Sequence, residues 1–248
     1  MLWTERKVNW YQRALERSDY AEKILGAIES ILPECESALD VGAGCGALAF
    51  PLARRLGRVT AIEPAPAMAK ALREGAEARR LRNITVIEAR WGDVSVAPHD
   101  LVLCAHVGEL VRPDSGFLRE ASGVARRWVV LVRDAEEARD KFFFRELYPL
   151  LLGRPYTSSC DYEETVDSLS RLGVVPSVTF VEYRSDQPFV SFDEACDFWE
   201  EYLEVRGERV REFLRGFLET RLVREGDGWV APYEKRVAVI RWPGEAER

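Results

Sequence analysis

The sequence predicts an α/β fold, a doubly wound parallel sheet, on three observations. Short apolar strand-like runs alternate with helix-period segments through the first half of the chain. The first run ends in a glycine turn, DVGAGCG over 40–46, that feeds a second apolar stretch. The chain also ends on an apolar run, KRVAVIRW at 235–242, that reads as a last strand.

The strand-like runs are SALDVG (37–42), RVTAIE (58–63), NITVIE (83–88), HDLVLCAH (99–106) and RRWVVLVR (126–133). They are rich in Val, Ile and Leu, as strands buried on both faces must be. Between them, ALAFPLARRLG and PAMAKALREGAEARRL have helical spacing, the first stopped by Gly57. Pro51 removes a backbone donor from that first helix and is expected to bend it. Residues 3–32 predict one or two helices carrying Trp3, Trp10, Tyr11 and Tyr20.

Beyond the core, KFFFRELYPLLLGRPY is helical until Gly153 and Pro155. Asp161 with Glu164 forms a capping box opening a helix that ends at Gly173, and PSVTFVEYR then alternates like a strand. Ser191 with Glu194 repeats the capping signal, ahead of Phe192, Ala195, Cys196, Trp199, Tyr202 and Leu203 on one helical face. A charged helix to about Val223 and the turn EGDGW precede the last strand.

Composition narrows the function classes. A chain of 248 residues, 47% of them hydrophobic, is long enough for one large core and demands no second domain. The net charge of -7 repels phosphate polymers and argues against a nucleic-acid partner. The start, MLWTERKVNW, carries charges where a secretory signal needs an unbroken apolar core, and no run approaches the roughly 18 apolar residues of a membrane span. A cytoplasmic protein without a membrane partner is expected. Cys35, Cys45, Cys104, Cys160 and Cys196 are scattered with no C-x-x-C pair, and His99 and His106 are the only histidines. Neither a metal site nor a disulfide framework is therefore expected.

The glycine turn sets the ligand question. Gly42, Gly44 and Gly46 let a backbone approach a ligand closely, but through Ala47 they also satisfy the G-x-G-x-x-A dinucleotide fingerprint. On the glycines alone an NAD-dependent oxidoreductase stays open. Asp40, two residues before the first glycine, would repel a pyrophosphate and attract an ammonium group. Glu63, 17 residues beyond Gly46, ends the second strand where both carboxylate oxygens could accept from vicinal ribose hydroxyls. The third strand ends IEARWGDV, bringing polar and aromatic groups to the place of an adenine ring.

In this order DVGAGCG, AIEPAPAMAKAL, VIEARWGD and HDLVLCAHV resemble the successive motifs of class I S-adenosylmethionine-dependent methyltransferases, over about residues 35–135. The resemblance implies a Rossmann-like seven-stranded sheet in the order 3-2-1-4-5-7-6 with an antiparallel seventh strand, which KRVAVIRW suits. It implies S-adenosylmethionine as cofactor, its methionine end on Gly42, Ala43, Gly44 and Gly46 with Asp40 behind the amino group, and its ribose on Glu63. Pro64 and Met68 would flank the adenosine. Ala89, Arg90 and Trp91 match the adenine-edge position, with Arg90 where an acid is usual; Asp93 either takes that contact or caps the following turn. Cys104, core by residue type, and Trp10 and Tyr11 of the leading helix complete the set expected around the cofactor.

Methyl transfer from a sulfonium needs alignment and exclusion of water, and a base only where the nucleophile must lose a proton. His106, just past the fourth strand, is the expected catalytic residue, as a general base; a hydrogen bond to the cofactor or a loop cap are its other readings. His99, at the start of that strand, is expected at the surface, and Glu109, Asp134 and Asp161 are lesser candidates for the base that read better as solvated loop or cap residues. The family's amino-methylating enzymes carry N/D-P-P-Y/F after the fourth strand; this chain has CAHV, which with the acidic surface moves the acceptor toward a small molecule. Trp10, Tyr11, Phe142, Phe143, Phe144, Tyr148, Tyr156, Phe198, Trp199 and Tyr202 could wall the acceptor, while each read singly is packing. The segments 136–173 and 187–234 are expected to build a helical cap over the site or an oligomer contact. The organisation expected is one methyltransferase domain over 1–248, with N-terminal helices at 1–34 and a cofactor-binding core at 35–135. A non-catalytic S-adenosylmethionine-binding protein is the alternative.

Overall fold

The structure, a computed structural model, describes residues 2–112, 115–135, 141–157 and 162–246. Asp161, Cys160 and residues 136–140 of the expected cap lie outside the described residues. The five apolar runs form β1 (Ser37–Val41), β2 (Arg58–Ile62), β3 (Ile84–Ile87), β4 (His99–Ala105) and β5 (Ala125–Asp134), all parallel. Two later strands, β6 (Ser177–Arg184) and β10 (Glu234–Pro243), complete a seven-stranded sheet in the order β3-β2-β1-β4-β5-β10-β6. β10 is antiparallel to both its neighbours, as expected of the last strand.

Strand order reverses between β1 and β4. In a doubly wound sheet the connections there leave in opposite directions, and a crevice opens above the carboxyl ends of the strands.

Alternation along each strand supplies two cores. On one face Ala38, Val130 and Val132 pack with Ile24 of α2 (Tyr20–Ala27), Leu52 of α3 (Ala49–Ala53) and Leu72 of α4 (Pro66–Ala78). On the other, Leu39, Val102 and Leu131 pack with Phe117 of α5 (Phe117–Val124) and Leu169 of α7 (Tyr162–Arg171). Asp40 shares the first face with Ala38, two residues away.

Two local expectations need correction. Pro51 does not bend a long helix, because α3 is only five residues and Pro51 lies in its first turn, where the fixed φ of proline is tolerated. His99 is buried, not at the surface: its ring nitrogens lie 2.8 Å from Thr60 Oγ1 and 2.7 Å from the Ala97 carbonyl. A polar pairing of this kind satisfies both nitrogens inside the core.

Outside the sheet, α1 (Glu5–Arg17), α6 (Phe144–Leu147), α8 (Phe192–Leu203) and α9 (Glu208–Glu219) gather around a third core of Trp10, Phe189, Phe198, Trp199, Leu214 and Leu218. Expected to be helical, the 187–234 segment also holds β7 (Gln187–Phe189), β8 (Val223–Glu225) and β9 (Gly228–Ala231), a small sheet ordered β7-β9-β8. The reason is in EGDGW: Gly226, at φ +58°, opens a two-residue turn that joins β8 to β9 as a hairpin. At α8 the Ser191 hydroxyl accepts from the Glu194 amide at 3.1 Å, as the capping signal predicts. The Glu194 carboxylate accepts from the Val190 amide (2.7 Å), the Trp10 indole (3.1 Å) and Arg13, so it ties α1 to the cap.

Trp10→Ala is expected to lower unfolding stability by about 3–5 kcal/mol, because it empties an indole-sized space in the cap core; urea denaturation measures it.

Candidate functional site

β1 runs directly into the glycine turn, which lies at the reversal of strand order. Gly42 has φ +74°, and a β-carbon there would lie 2.3 Å from Val107 Cγ2, so only glycine lets the turn rest on the segment after β4. Gly44 has φ +57°, and a β-carbon there would meet nothing within 4 Å. Its open side is room for a ligand against bare backbone.

Two carboxyls stand beneath the turn. Asp40 is 2% exposed, and among the described residues no hydrogen bond reaches its carboxyl. Burial, then the nearby charge of Glu63, pushes it up to about 7. The Glu63 oxygens accept from the Gly44 and Ala65 amides, each at 2.8 Å. Burial raises its pKa, and these two amides act in the opposite sense. Glu63 thus clasps the turn to the end of β2, and each oxygen keeps a further lone pair for a hydroxyl donor.

Helix α1 covers this ground. Trp3, Val8 and Tyr11 pack with Cys45 of the turn and with Met68 and Ala71 of α4. Burial, followed by the field of Cys45, Tyr202, Asp40 and Glu63, holds the Tyr11 hydroxyl un-ionised. Tyr11 is therefore placed over the turn. Its neighbour Trp10 is not: it points into the cap core against Phe198, at 5.2 Å between ring centroids. A helix turns about 100° per residue, so adjacent side chains cannot share a face.

The remaining expected contacts divide. Ala43 is buried in the turn and Met68 is fully used in α1–α4 packing. Pro64 is exposed at the rim. Cys104 faces the second core with Leu39 and Leu131, where burial holds its thiol far above the ordinary range. That orientation sets it apart from the turn, so the structure corrects its place among the cofactor contacts. Arg90 and Asp93 are exposed, and Trp91 is half-buried, donating to Glu120 at 2.6 Å with its ring edge-on to Phe117.

Beside the turn lies a second cluster. His106 takes the left-handed conformation at φ +59°, which aims its ring along the sheet edge. Its Nδ1 lies 3.1 Å from Asp134 Oδ1, at the end of β5. Lys235 of β10 pairs with the same oxygen at 2.7 Å, and the Tyr183 hydroxyl of β6 lies 3.4 Å from His106 Nε2. Tyr20 of α2 closes the group, its ring 5.6 Å from the imidazole and 4.8 Å from Tyr183. Burial opposes ionisation of Asp134, but the His106 hydrogen bond and the Lys235 charge outweigh it and hold the carboxyl far below the carboxylate range. Asp134 is thus a permanent anion orienting an imidazole.

Asp134 was expected to be a loop or cap residue; its pairing makes it part of the site. Tyr20, Tyr183 and Lys235 carry no local signal in the sequence, because distant segments bring them together. The signal available for Asp134 was positional: it ends the fifth strand as Asp40 and Glu63 mark the ends of the first and second.

Comparison with known proteins agrees with this geometry. A family model described as a methyltransferase domain matches residues 38–127. A ubiquinone biosynthesis O-methyltransferase from Methylocella silvestris is 43% identical over 91 residues, which are 36% of this chain and 35% of that protein. The match thus spans about a third of the relative's length. Among solved structures, the magnesium protoporphyrin IX methyltransferase of Synechocystis PCC 6803 with bound S-adenosylhomocysteine superposes with a TM-score of 0.51 at 13% identity, covering 89% of this chain and 82% of that one. A SAM-dependent methyltransferase from Aquifex aeolicus gives 0.50 at 18%, covering 96% and 98%. These two likenesses concern the fold. Sheet order, glycine turn and antiparallel last strand define the Rossmann-like methyltransferase fold. The methyltransferase-domain match covers the core of this fold, from β1 to the start of β5. No helix among the described residues is long and apolar enough to cross a membrane.

Asp40 has a consequence for stability. Its folded pKa is above the unfolded one, so its favourable contribution is full below about pH 4 and is lost as pH rises through about 7. Asp40→Asn should therefore be more stable than the native protein at pH 8, with the difference vanishing near pH 4. Thermal melts across that range check it.

Proposed function

We propose that the protein binds S-adenosylmethionine on the Gly42–Gly46 turn and transfers its methyl group to a hydroxyl of a small-molecule acceptor at His106. The observation that carries this reading is Asp40, a buried carboxyl with no hydrogen-bond partner among the described residues, beneath a turn whose Gly44 opens onto free space. A cationic amino acid moiety is the ligand group such a carboxyl would receive, whereas a pyrophosphate would be repelled. Glu63 offers lone pairs to a ribose, and Tyr11 closes the site from above. The donor supplies an electrophilic methyl group on a sulfonium.

The chain's own residues then have three tasks. Asp40 and Glu63 orient the donor, α1 excludes water, and His106 receives the acceptor's proton at Nε2 while Nδ1–H donates to Asp134. An imidazole held in one tautomer by a permanent carboxylate is suited to removing a hydroxyl proton. The O-methyltransferase activity in the name of the Methylocella relative is consistent with an oxygen nucleophile. The net charge of -7 favours a small acceptor over a nucleic acid.

Calorimetry with S-adenosylhomocysteine tests the cofactor site. Ionised Asp40 is the form that receives an ammonium, so below about pH 7 binding must release a proton. Affinity is expected to be level above that pH and to fall about tenfold per pH unit below it, a dependence Asp40→Asn removes. Gly44→Val should lose binding while keeping the native far-ultraviolet spectrum. Binding of NADH in place of S-adenosylhomocysteine would sink the assignment. His106→Gln should bind S-adenosylhomocysteine normally and lose about 10²- to 10⁴-fold in methyl transfer to hydroxylated acceptors.

A further inference from the structure

The His106 cluster contains one charged group that the proposed chemistry does not use. Lys235, at the start of β10, has 15% of its side chain exposed, and its ammonium lies 2.7 Å from Asp134 Oδ1 and 3.3 Å from His106 Nδ1. Histidine and lysine thus converge on one carboxylate oxygen. The three atoms form a closed triangle, which is an unusual way to support a base. A carboxylate alone beside an imidazole stabilises the imidazolium, and an imidazolium has no lone pair with which to take a proton. An ammonium 3.3 Å from the same ring acts in the opposite sense.

We propose that Lys235 is a positioning residue of the acceptor site: by engaging Asp134 it limits that carboxylate's pull on the ring, so that His106 stays neutral and ready to accept a proton while its orientation is kept. Asp134 sets direction and tautomer; Lys235 sets the charge state. This rests on the reading of His106 as the base, but its physical content does not depend on turnover. The groups that face His106 among the described residues are Asp134 on β5, Lys235 on β10, Tyr183 on β6 and Tyr20 on α2, with Asp40 on β1 within the field of Tyr20. Burial holds both tyrosines un-ionised, their ordinary values raised well above 10. Of the neighbours that carry charge, Asp134 and Lys235 touch the ring nitrogen.

The sequence makes the test direct, since it contains only two histidines. Proton NMR of the imidazole Cε1–H resonances across pH 4.5 to 9 follows them separately, and His106→Gln identifies the His106 signal. In Lys235→Met the His106 midpoint should move up by about one pH unit or more, the scale of one close charge. In Asp134→Asn it should move down, and in Lys235→Arg, which keeps the cation, it should stay near the native value. Lys235→Gln gives the same reading as Lys235→Met should the latter fold poorly. A midpoint that is unmoved or lowered in the neutral variants, or raised equally by arginine, overturns the proposal. S-adenosylhomocysteine binding, measured on the same samples, reports separately on the methyltransferase reading: loss of that reading leaves the titration result standing, and the reverse.

Discussion

A carboxyl group taken out of water without a partner costs several kcal/mol in its ionised form, and the fold places Asp40 under that constraint at the mouth of its crevice. β1 is central in the sheet, with Asp40 opposite Ala61 of β2 and Leu103 of β4, so it has nowhere to retreat. The glycine turn above it carries no side chain that could satisfy it. The chain therefore tolerates a group held near neutrality, pushed up to about 7, where a folding optimum alone would have put an apolar residue. A ligand cation, as proposed, would repair this defect.

The covering helix follows from the same need. A buried carboxyl is effective only in a site closed to water, and α1 supplies the closure through Val8 and Tyr11 packed on Cys45, Met68 and Ala71. The same helix reaches the cap through Arg6 to Asp197, Thr4 to Glu201 at 2.9 Å and Arg13 to Glu194, and reaches α4 through Glu5 to Lys70 at 2.7 Å. Ion pairs at this degree of exposure contribute little each. Apolar packing holds α1 in place, and the charged pairs fix its register between core and cap.

Along the carboxyl edge of the sheet, adjacent strands present a polar row: Asp40 on β1, His106 after β4, Asp134 on β5, Lys235 on β10 and Tyr183 on β6. The antiparallel β10 is what completes it. Because that strand runs backwards, its beginning lies beside the end of β5, which puts a lysine from near the C-terminus against an aspartate 101 residues earlier. The glycine turn and the His106 cluster thus lie along one continuous edge, with Tyr11 and Tyr20 from the two leading helices coupled across it.

By itself the sequence determined the parallel core, the glycine turn, and the places of Asp40, Glu63 and His106, because apolar period and glycine spacing are local signals read within a few residues. Tertiary structure alone decided which side each aromatic faces: Trp10 and Tyr11 are neighbours in sequence, yet one fills the cap and the other covers the turn. It also decided that the segment 187–234 folds partly as a small sheet, and that Asp134, Lys235, Tyr183 and Tyr20 meet at His106. Those contacts join residues tens to more than a hundred positions apart, and pairing over such distances is set by strand order and helix docking, which no local pattern encodes.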